Sequence, residues 1–586
     1  MTHPTTLDRA IFALLLCASL YGFWHRLSPI LQRIRASKRD ADFSLSPIGP
    51  RIRDFIWEVL LQAKVIRERP LPGIAHAFVF WGFAAFALIT ISHLAAGFGV
   101  NLLPERNFFV RIYRDFAGLF ALTVAVSIVG LAVRRFVAQP KWLGTVAPES
   151  GFIALLILTL MITYLATFVV AEGSSGGKVN WWLHTLALLI FIPLIPHTKH
   201  LHLVLSPLTI FAKRDGFSKI PPLAGDEDFG LDTGKDLTRL VSLQAYSCVE
   251  CGRCSEHCPA YNTGKILDPK QIVLGVRGYL NEFGPGSEEP LLGKYISEEA
   301  AFQCTTCGAC EDPCPVGIQH LPIIIGLRRG AVNTGKLEDD YGTKLFLNLE
   351  RNGNPMGFAS SERQKFVEKS EFPIYDGTQE YCLWLGCMGS YDPQGREIVL
   401  SLAKVMRNLG VTFGVLRKER CTGDSARRLG NDLLFSQLAE ANIENFRQSN
   451  VKKLLSICPH CVRTISEDWK EFGASFDIEH HSEFLACVQD KLPASKSGET
   501  VVFHDPCYLG RYTDSYEEPR RVIAGSSKVI DPPRSHNRSR CCGAGGGLVF
   551  LGEEKGRRVN ADRAEELIGT GASVVGTACP FCQTMF

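Results

Sequence analysis

The chain has two regimes of hydrophobic patterning. Over its first 210 residues, apolar runs dominate near 8–27, 74–98, 116–136, 151–172 and 181–210, each long enough to cross a bilayer. Beyond them, apolar positions recur at helical spacing, as in "REIVLSLAKVMRNLG" (396–410), or gather into short strand-like runs such as "YCLWLGC" and "VVFHDPC". This predicts a five-helix transmembrane bundle over 1–215, followed by several smaller domains. The first run lacks a basic n-region and a small-residue cleavage site, and four more runs follow it, so it reads as a span and not a signal peptide. Lys and Arg set the orientation. The segment after the first run carries Arg26, Arg33, Arg35, Lys38, Arg39, Arg51, Arg53, Lys64, Arg67 and Arg69, whereas the "AEGSSGGKVN" loop carries only Lys178. The expectation is a multi-pass protein of the plasma (inner) membrane, in contact with lipid, its N-terminus outside and its C-terminal domains cytoplasmic. Within the basic segment, "RIRDFIWEVLLQAKVIRER" (51–69) reads as one amphipathic helix lying on the membrane surface.

Histidines within the apolar runs are the first candidates for chemistry. His76 and His93 are 17 residues apart, and His184 and His202 are 18 apart, about 26 Å along a helix. Ionisable residues at membrane depth are costly and mark functional sites. Antiparallel placement of the second and fifth runs pairs His76 with His202 and His93 with His184, so that bis-histidine ligation holds one b-type haem near each face. His197 and His200 crowd the inner end and read as interfacial anchors. Five spans, "HAFVFWGF" (His76–Phe83) and "WWLH…HTKHLH" (Trp181–His202) resemble the gamma subunit of respiratory nitrate reductase, a five-helix dihaem cytochrome b. The resemblance covers roughly 1–215 and implies electron exchange with a membrane quinone.

Nineteen of the 20 cysteines follow residue 247. Their grouping points to metal in a reducing compartment, not to secreted disulfides. Cys17, alone in an apolar run, reads as packing. After the polar linker 216–237, Cys248, Cys251, Cys254 and Cys258-Pro259 repeat the spacing of Cys304, Cys307, Cys310 and Cys314-Pro315. C-x2-C-x2-C-x3-C-P is the ferredoxin run, in which the fourth cysteine serves the other cluster. The expected ligands are therefore Cys248, Cys251, Cys254 and Cys314 for one [4Fe–4S] cubane, and Cys304, Cys307, Cys310 and Cys258 for the second. Zinc knuckles gain nothing from such crossing. The residues between the runs have helical spacing, giving a helical ferredoxin-type domain over 238–335. Residues 336–377 read as a helical connector.

The last 210 residues contain an internal repeat. Cys387, Cys421, Cys458 and Cys461 recur 120 or 121 positions later as Cys507, Cys541, Cys579 and Cys582. Each follows a strand-like run, which predicts two small α/β domains, 378–497 and 498–586, with thiols at strand ends. The pattern C…CCG…CPxC resembles the cysteine-rich CCG domain of heterodisulfide reductase and of glycolate oxidase iron–sulfur subunits. In the reductase family, five such cysteines hold a noncubane [4Fe–4S] cluster at which disulfide chemistry occurs. The resemblance assigns that role to Cys507, Cys541, Cys542, Cys579 and Cys582. In the first copy Thr422 stands where the second has Cys542, leaving four thiols for an ordinary cluster. Cys382 and Cys487 fall outside the pattern and read as buried structural cysteines. The second domain stops four residues after Cys582, short of the closing helix such domains usually carry, which leaves two readings open: an unusually short product or a truncated one. "GAGGG" (543–547) follows a ligand pair and does not join strand to helix, so it is not a dinucleotide loop. "PHC" (459–461) belongs to CPxC and not to a Cys–His nucleophile.

A net charge of +3 gives no case for nucleic acid. The whole order resembles membrane proteins that fuse a nitrate-reductase-gamma-like cytochrome to a heterodisulfide-reductase-like module, several of which are electron-transfer-flavoprotein:menaquinone oxidoreductases. That resemblance implies an iron–sulfur/haem oxidoreductase passing electrons from a reduced electron-transfer flavoprotein, through clusters and b haems, to menaquinone. Two alternatives stay open: a quinol-dependent heterodisulfide-type reductase, and an electron-transfer subunit of a larger dehydrogenase complex. The chain has no flavin or nicotinamide fingerprint, so a flavin donor must come from a partner.

Overall fold

A computed structural model of the protein describes residues 4–104, 106–140, 148–171, 173–222, 225, 228–337, 339–493, 497–552 and 555–586. The chain forms two compact units. The first comprises Met1–Lys213, Thr238–Arg253 and Pro313–Ile318; the second comprises Arg214–Leu237, Cys254–Asp312 and Gln319–Phe586.

In the first unit, helices Thr6–Ala36, Phe108–Ala138, Pro148–Ala166 and Ser175–His197 are each long and apolar enough to cross a membrane. Pro70–Ala85 and Ala87–Gly97 make a further candidate, bent by 45°. Leu14, Leu119 and Val126 are 71%, 61% and 67% exposed on these helices, an outward apolar surface that suits lipid and not water. Small residues bring the helices close. A Cβ on Gly82 would lie 2.4 Å from Val124 Cγ2, and one on Gly97 would lie 2.5 Å from the Phe12 ring. The first helix starts with a capping box between Thr5 and Asp8. Asp8 also pairs with Lys178 at 2.9 Å. The protein is a membrane protein by these features.

Three segments depart from the uniform helices that periodicity suggests. The run 181–210 is not one helix: Ser175–His197 is followed by a 3₁₀ turn, Lys199–Leu201, and a separate helix, His202–Ala212. His184 and His202 therefore lie on different helices. Pro193 and Pro196 each remove a helix N–H. The Ser19 hydroxyl donates to the Leu189 carbonyl at 2.7 Å, the group Pro193 leaves free, and the backbone turns extended at Thr198. The second run bends at Phe86, where the Tyr113 hydroxyl donates to the Ala85 carbonyl. The segment 51–69 is not a single surface helix but three short pieces, Ile48–Asp54, Phe55–Leu60 and Ala63–Glu68, broken at Gln62 with φ +55°. Arg51 donates to the carbonyls of Phe211 and Lys213, and Lys213 pairs with Asp54 and Glu58. The segment thus packs on helix His202–Ala212.

The second unit contains two parallel sheets. Strands β1 (Tyr381–Trp384), β2 (Phe413–Gly414), β3 (Lys453–Ser456) and β4 (Asp477–His480) form the first, in the order β2-β1-β3-β4. Strands β5 (Thr500–His504), β6 (Lys528–Ile530) and β7 (Val574–Thr577) form the second, in the order β6-β5-β7. Second-first-third ordering in both is the repeat realised as structure. Two predicted spacers are integral parts. In the segment 336–377, Leu345 and Leu349 of helix Asp340–Asn352 enter the core beneath the first sheet. Phe366 and Val367 of helix Ser360–Lys369 enter a second core around Leu383 and Leu455. In the linker 216–237, Leu231 N–H donates to the Gly326 carbonyl at 2.8 Å, and Leu231 and Leu237 are buried. Linker residues 223–224 and 226–227 lie outside the described residues. Cys382 is buried, but Cys487 is exposed at the end of its helix, contrary to expectation.

Helix His320–Asn333 runs through the middle of this unit with Arg328 and Arg329 buried. Asp432 is shared by two buried guanidiniums, Arg329 and Arg427. Arg428 is paired with Asp424 and Asp468. Removing one partner of a buried pair leaves an uncompensated charge, which costs about 3–5 kcal/mol. Asp432→Ala should therefore destabilise the unit by about that amount in anaerobic denaturant titrations followed by tryptophan fluorescence; a loss below about 1 kcal/mol, the range of exposed pairs, would contradict this packing.

Candidate iron–sulfur centres

The two ferredoxin-type runs adopt the same local backbone. Glu250 and Gly252 flank Cys251 with φ of +56° and +73°, and Thr306 and Gly308 flank Cys307 with +48° and +71°. Left-handed residues on either side of a cysteine turn backbone amides inward toward sulfur. Thr306 N–H donates to Cys304 Sγ and Ile318 N–H donates to Cys314 Sγ, each at 3.4 Å.

The segment Pro313–Ile318 belongs to the same unit as Thr238–Arg253, so Cys314 lies with Cys248 and Cys251, and next to Cys251. Cys254 opens the second unit. There Cys258 is adjacent to Cys304 and Cys307, and Cys310 is adjacent to all three. Burial raises the Cys304 and Cys314 thiols to about 11, and it also pushes Cys258 and Cys310 well above the ordinary thiol range. Thiols so placed stay protonated until a cation joins them; coordination to iron supplies that charge and deprotonates them.

The first run is also anchored within its own unit. Ser242 and Ser37 hydroxyls bond at 2.8 Å, and Ser247, next to Cys248, bonds Thr209 at 2.6 Å. Thr209 is on the helix that begins at His202. Gly317 (φ +72°) lies against Ile210 of that helix, where a Cβ would stand 3.2 Å from Ile210 Cγ1.

In the first cysteine-rich domain, the thiols stand beyond the carboxyl ends of β1, β2 and β3. Cys387 is on the short helix after β1, and Cys458 caps helix Pro459–Ser466 after β3. Cys387 hydrogen-bonds Cys421 and is adjacent to Cys461, and Cys461 hydrogen-bonds Cys458, so the four sulfurs form one group. Gly386 (φ +62°) makes room: its absent Cβ would lie 3.2 Å from Cys461 Sγ. Glu419, buried and paired with Arg363 at 2.8 Å, accepts the Gly386 N–H at 3.1 Å and holds the turn that carries Cys387. Nothing in the cysteine pattern signalled Glu419 or Arg363. Thr422 is buried, and its carbonyl accepts from Trp469 Nε1 at 3.2 Å.

In the second domain, Cys507, Cys541, Cys542, Cys582 and Cys579 form an unbroken sequence of hydrogen-bonded thiols. Two further contacts extend it. Cys541 hydrogen-bonds Cys307 of the second ferredoxin-type quartet. At the other end, Cys579 hydrogen-bonds His460 of the first cysteine-rich domain. Burial alone would raise Cys579, but the bonds from Cys582 and His460 outweigh it and lower the thiol to about 5. Burial likewise opposes charge on His460, yet Asp424, 2.9 Å from Nδ1, raises it to about 10. His460 also stacks on Tyr508, with centroids 3.8 Å apart. His460, on the first copy, thus bridges to Cys579 on the second. His504, which the CCG pattern does not include, has a ring nitrogen within 4.8 Å of the sulfurs of Cys542 and Cys582.

The glycines of "GAGGG" serve close packing as well. A Cβ on Gly545 would lie 2.3 Å from the Thr305 carbonyl oxygen, and one on Gly546 would lie 2.3 Å from that of Cys304. Gly543 N–H donates to Cys541 Sγ at 3.3 Å. The loop approaches both a thiol of its own domain and the backbone of the second ferredoxin-type run.

In the membrane helices, the His76 and His202 rings stand 6.4 Å apart and the His93 and His184 rings 4.6 Å apart. His202 Nδ1 bonds the Lys199 carbonyl at 2.7 Å, and His184 Nδ1 bonds Thr163 at 2.8 Å. His93 Nε2 bonds Thr185 at 2.8 Å, and its ring stacks on Trp181. His197 is exposed, but His200 is half-buried, 6.0 Å from the His202 ring. His200 therefore packs beside His202, whereas His197 faces outward.

Comparison with known proteins matches this arrangement. A 4Fe-4S dicluster domain model matches residues 244–318, and a cysteine-rich domain (CCG) model matches twice, at 381–466 and 501–586. The chain is 32% identical to the "Probable iron-sulfur-binding oxidoreductase FadF" of Bacillus subtilis, over 90% of this chain and 87% of that protein. It is 30% identical to the EtfAB:quinone oxidoreductase of Syntrophomonas wolfei, over 97% of this chain and 90% of that protein. It is also 30% identical to one component of the dihydromethanophenazine:CoB–CoM heterodisulfide reductase of Methanosarcina mazei, over 60% of this chain and 90% of that component. With two relatives matched over most of their own length, the chain belongs to the family of iron–sulfur oxidoreductases that includes FadF and the EtfAB:quinone oxidoreductase.

Proposed function

We propose that the protein carries electrons from a reduced electron-transfer flavoprotein, docked on the cytoplasmic iron–sulfur domains, to menaquinone in the membrane. The observation that carries this reading is the continuity of thiol sites, from Cys387 and Cys421 through His460 and Cys579 to Cys541 and Cys307. A similarity to the EtfAB:quinone oxidoreductase over nearly the whole chain supplies the class of donor and acceptor. When bound, iron–sulfur clusters supply one-electron carriers, while the protein sets their order and potentials.

The ligand sets proposed are Cys248, Cys251, Cys254 and Cys314; Cys304, Cys307, Cys310 and Cys258; Cys387, Cys421, Cys458 and Cys461; and Cys507, Cys541, Cys542, Cys579 and Cys582. The excess of Lys and Arg after the first helix supports an outside N-terminus and cytoplasmic iron–sulfur domains.

Two b-type haems would complete the route. His76 and His202, whose ring centres stand 6.4 Å apart, would hold one of them. The bond from His202 Nδ1 to Lys199 O leaves Nε2 as the lone-pair nitrogen, the usual support for a ligating histidine. His93 and His184, whose ring centres stand 4.6 Å apart, would hold the second.

Disulfide reduction at the second cysteine-rich domain is disfavoured by access. Cys507 is 8% exposed, and Cys541, Cys542, Cys579 and Cys582 are at most 4% exposed. A disulfide substrate must reach sulfur, whereas electron transfer needs no such opening.

Two measurements test this reading. In anaerobic stopped-flow on the protein in lipid, reduced electron-transfer flavoprotein should reduce the haem alpha band, which should reoxidise only when a menaquinone analogue is present. Haems that ignore the flavoprotein but are reduced by quinol, and reoxidised by a disulfide, would replace the proposal with the reductase reading. Separately, His76→Ala or His202→Ala should remove one haem's absorbance and leave the iron–sulfur EPR signals intact. Unchanged haem content would eliminate that ligand pair.

A further inference from the structure

His504 ends β5, three residues before Cys507, and is completely buried. Its two ring nitrogens have different surroundings. Nδ1 faces Nε of Arg563, 3.1 Å away. Arg563 is itself buried and oriented by the Arg534 carbonyl, Glu566 and the Ser539 hydroxyl. A guanidinium only donates, so Nδ1 must be the acceptor. The proton of the neutral imidazole is therefore on Nε2. Nε2 is buried and has no hydrogen-bond partner among the described residues. An N–H left in that condition keeps the full cost of its lost hydration. A ring nitrogen lies within 4.8 Å of two sulfurs, those of Cys542 and Cys582, and the ring packs edge-on against Phe586 with centroids 4.9 Å apart.

We infer that His504 donates its Nε2–H to sulfur of the iron–sulfur centre held by the second cysteine-rich domain, and is a positioning and potential-setting residue, not an iron ligand. Ligation through Nε2 would need that nitrogen's lone pair, and hence a proton on Nδ1 where Arg563 already points one. A hydrogen bond to cluster sulfur spreads the negative charge added on reduction, so it favours the reduced state and raises the potential. At the equivalent position of the first cysteine-rich domain, three residues before Cys387, stands Trp384, whose buried indole Nε1–H faces the thiols of that copy and acts on Cys461. The two copies thus differ in the kind of buried donor, imidazole against indole, as well as in Thr422. This rests on the proposal that the second copy holds a cluster.

The test uses the full-length protein. In the native protein, ENDOR of the second-copy EPR signal should show an exchangeable proton and only weak nitrogen coupling. A strongly coupled, directly bonded nitrogen would make His504 a ligand and overturn the inference. His504→Leu should keep the iron content per chain and shift that signal's midpoint potential to a more negative value. His504→Gln, which retains an N–H in reach, should recover part of the shift. An unmoved potential in folded, iron-replete His504→Leu would also overturn the inference. Absence of any second-copy signal in the native protein would instead remove the cluster assignment on which it rests. If His504→Leu fails to fold, the native ENDOR result decides alone.

Discussion

One buried guanidinium holds together the part of the molecule where the thiols converge. Arg328 donates Nε to the Ala301 carbonyl at 2.9 Å and NH2 to that of Cys304 at 2.6 Å. Its NH1 reaches the Arg428 carbonyl at 2.8 Å and the Gly546 carbonyl at 3.2 Å. These carbonyls belong to the second ferredoxin-type run, the first cysteine-rich domain and the glycine loop of the second. Carbonyl partners satisfy its N–H groups but do not neutralise its charge, and burying an ion costs several kcal/mol. Arg328 favours charge on the Cys304 sulfur, but burial outweighs it and keeps that thiol raised to about 11. Guanidinium and sulfur anion would therefore stabilise one another once the thiol is deprotonated by coordination.

The same balance of charge runs along the thiol sites. Buried sulfurs are poor acids by themselves, and the places where they are lowered coincide with specific partners, as Cys579 with His460. His460 is in turn charged because Asp424 faces it, and Asp424 is held by Arg428. The first cysteine-rich domain thus contributes to the electrostatics of the second. Glycine makes the proximity feasible. Gly545 and Gly546 bring one domain's backbone against carbonyls at Cys304 and Thr305 more closely than any side chain would allow.

Spacing made much of this legible. Two ferredoxin-type runs and a 120-residue repeat are arithmetic in the sequence, and the family models and the two equivalent sheets correspond to them. What periodicity could not convey was where helices stop. Pro193 and Pro196 lie inside a helix that continues past both, supported by Ser19, and the break comes at Thr198. Composition also misjudged the polar stretches 216–237 and 336–377, because a few apolar residues, Leu231, Leu345 and Leu349, suffice to dock them. His504 and Glu419 were invisible for a different reason. Their roles depend on a partner distant in sequence, Arg563 for one and Arg363 for the other.

The central claim is that the thiol sites form one continuous relay. The most direct measurement is EPR of the fully reduced protein at increasing microwave power and at two frequencies, which detects magnetic coupling between neighbouring centres. With Cys307 hydrogen-bonded to Cys541, the centre of the second ferredoxin-type quartet and that of the second cysteine-rich domain should be spin-coupled, with splittings that collapse in Cys541→Ser. Two independent, uncoupled signals in the reduced protein would contradict the account.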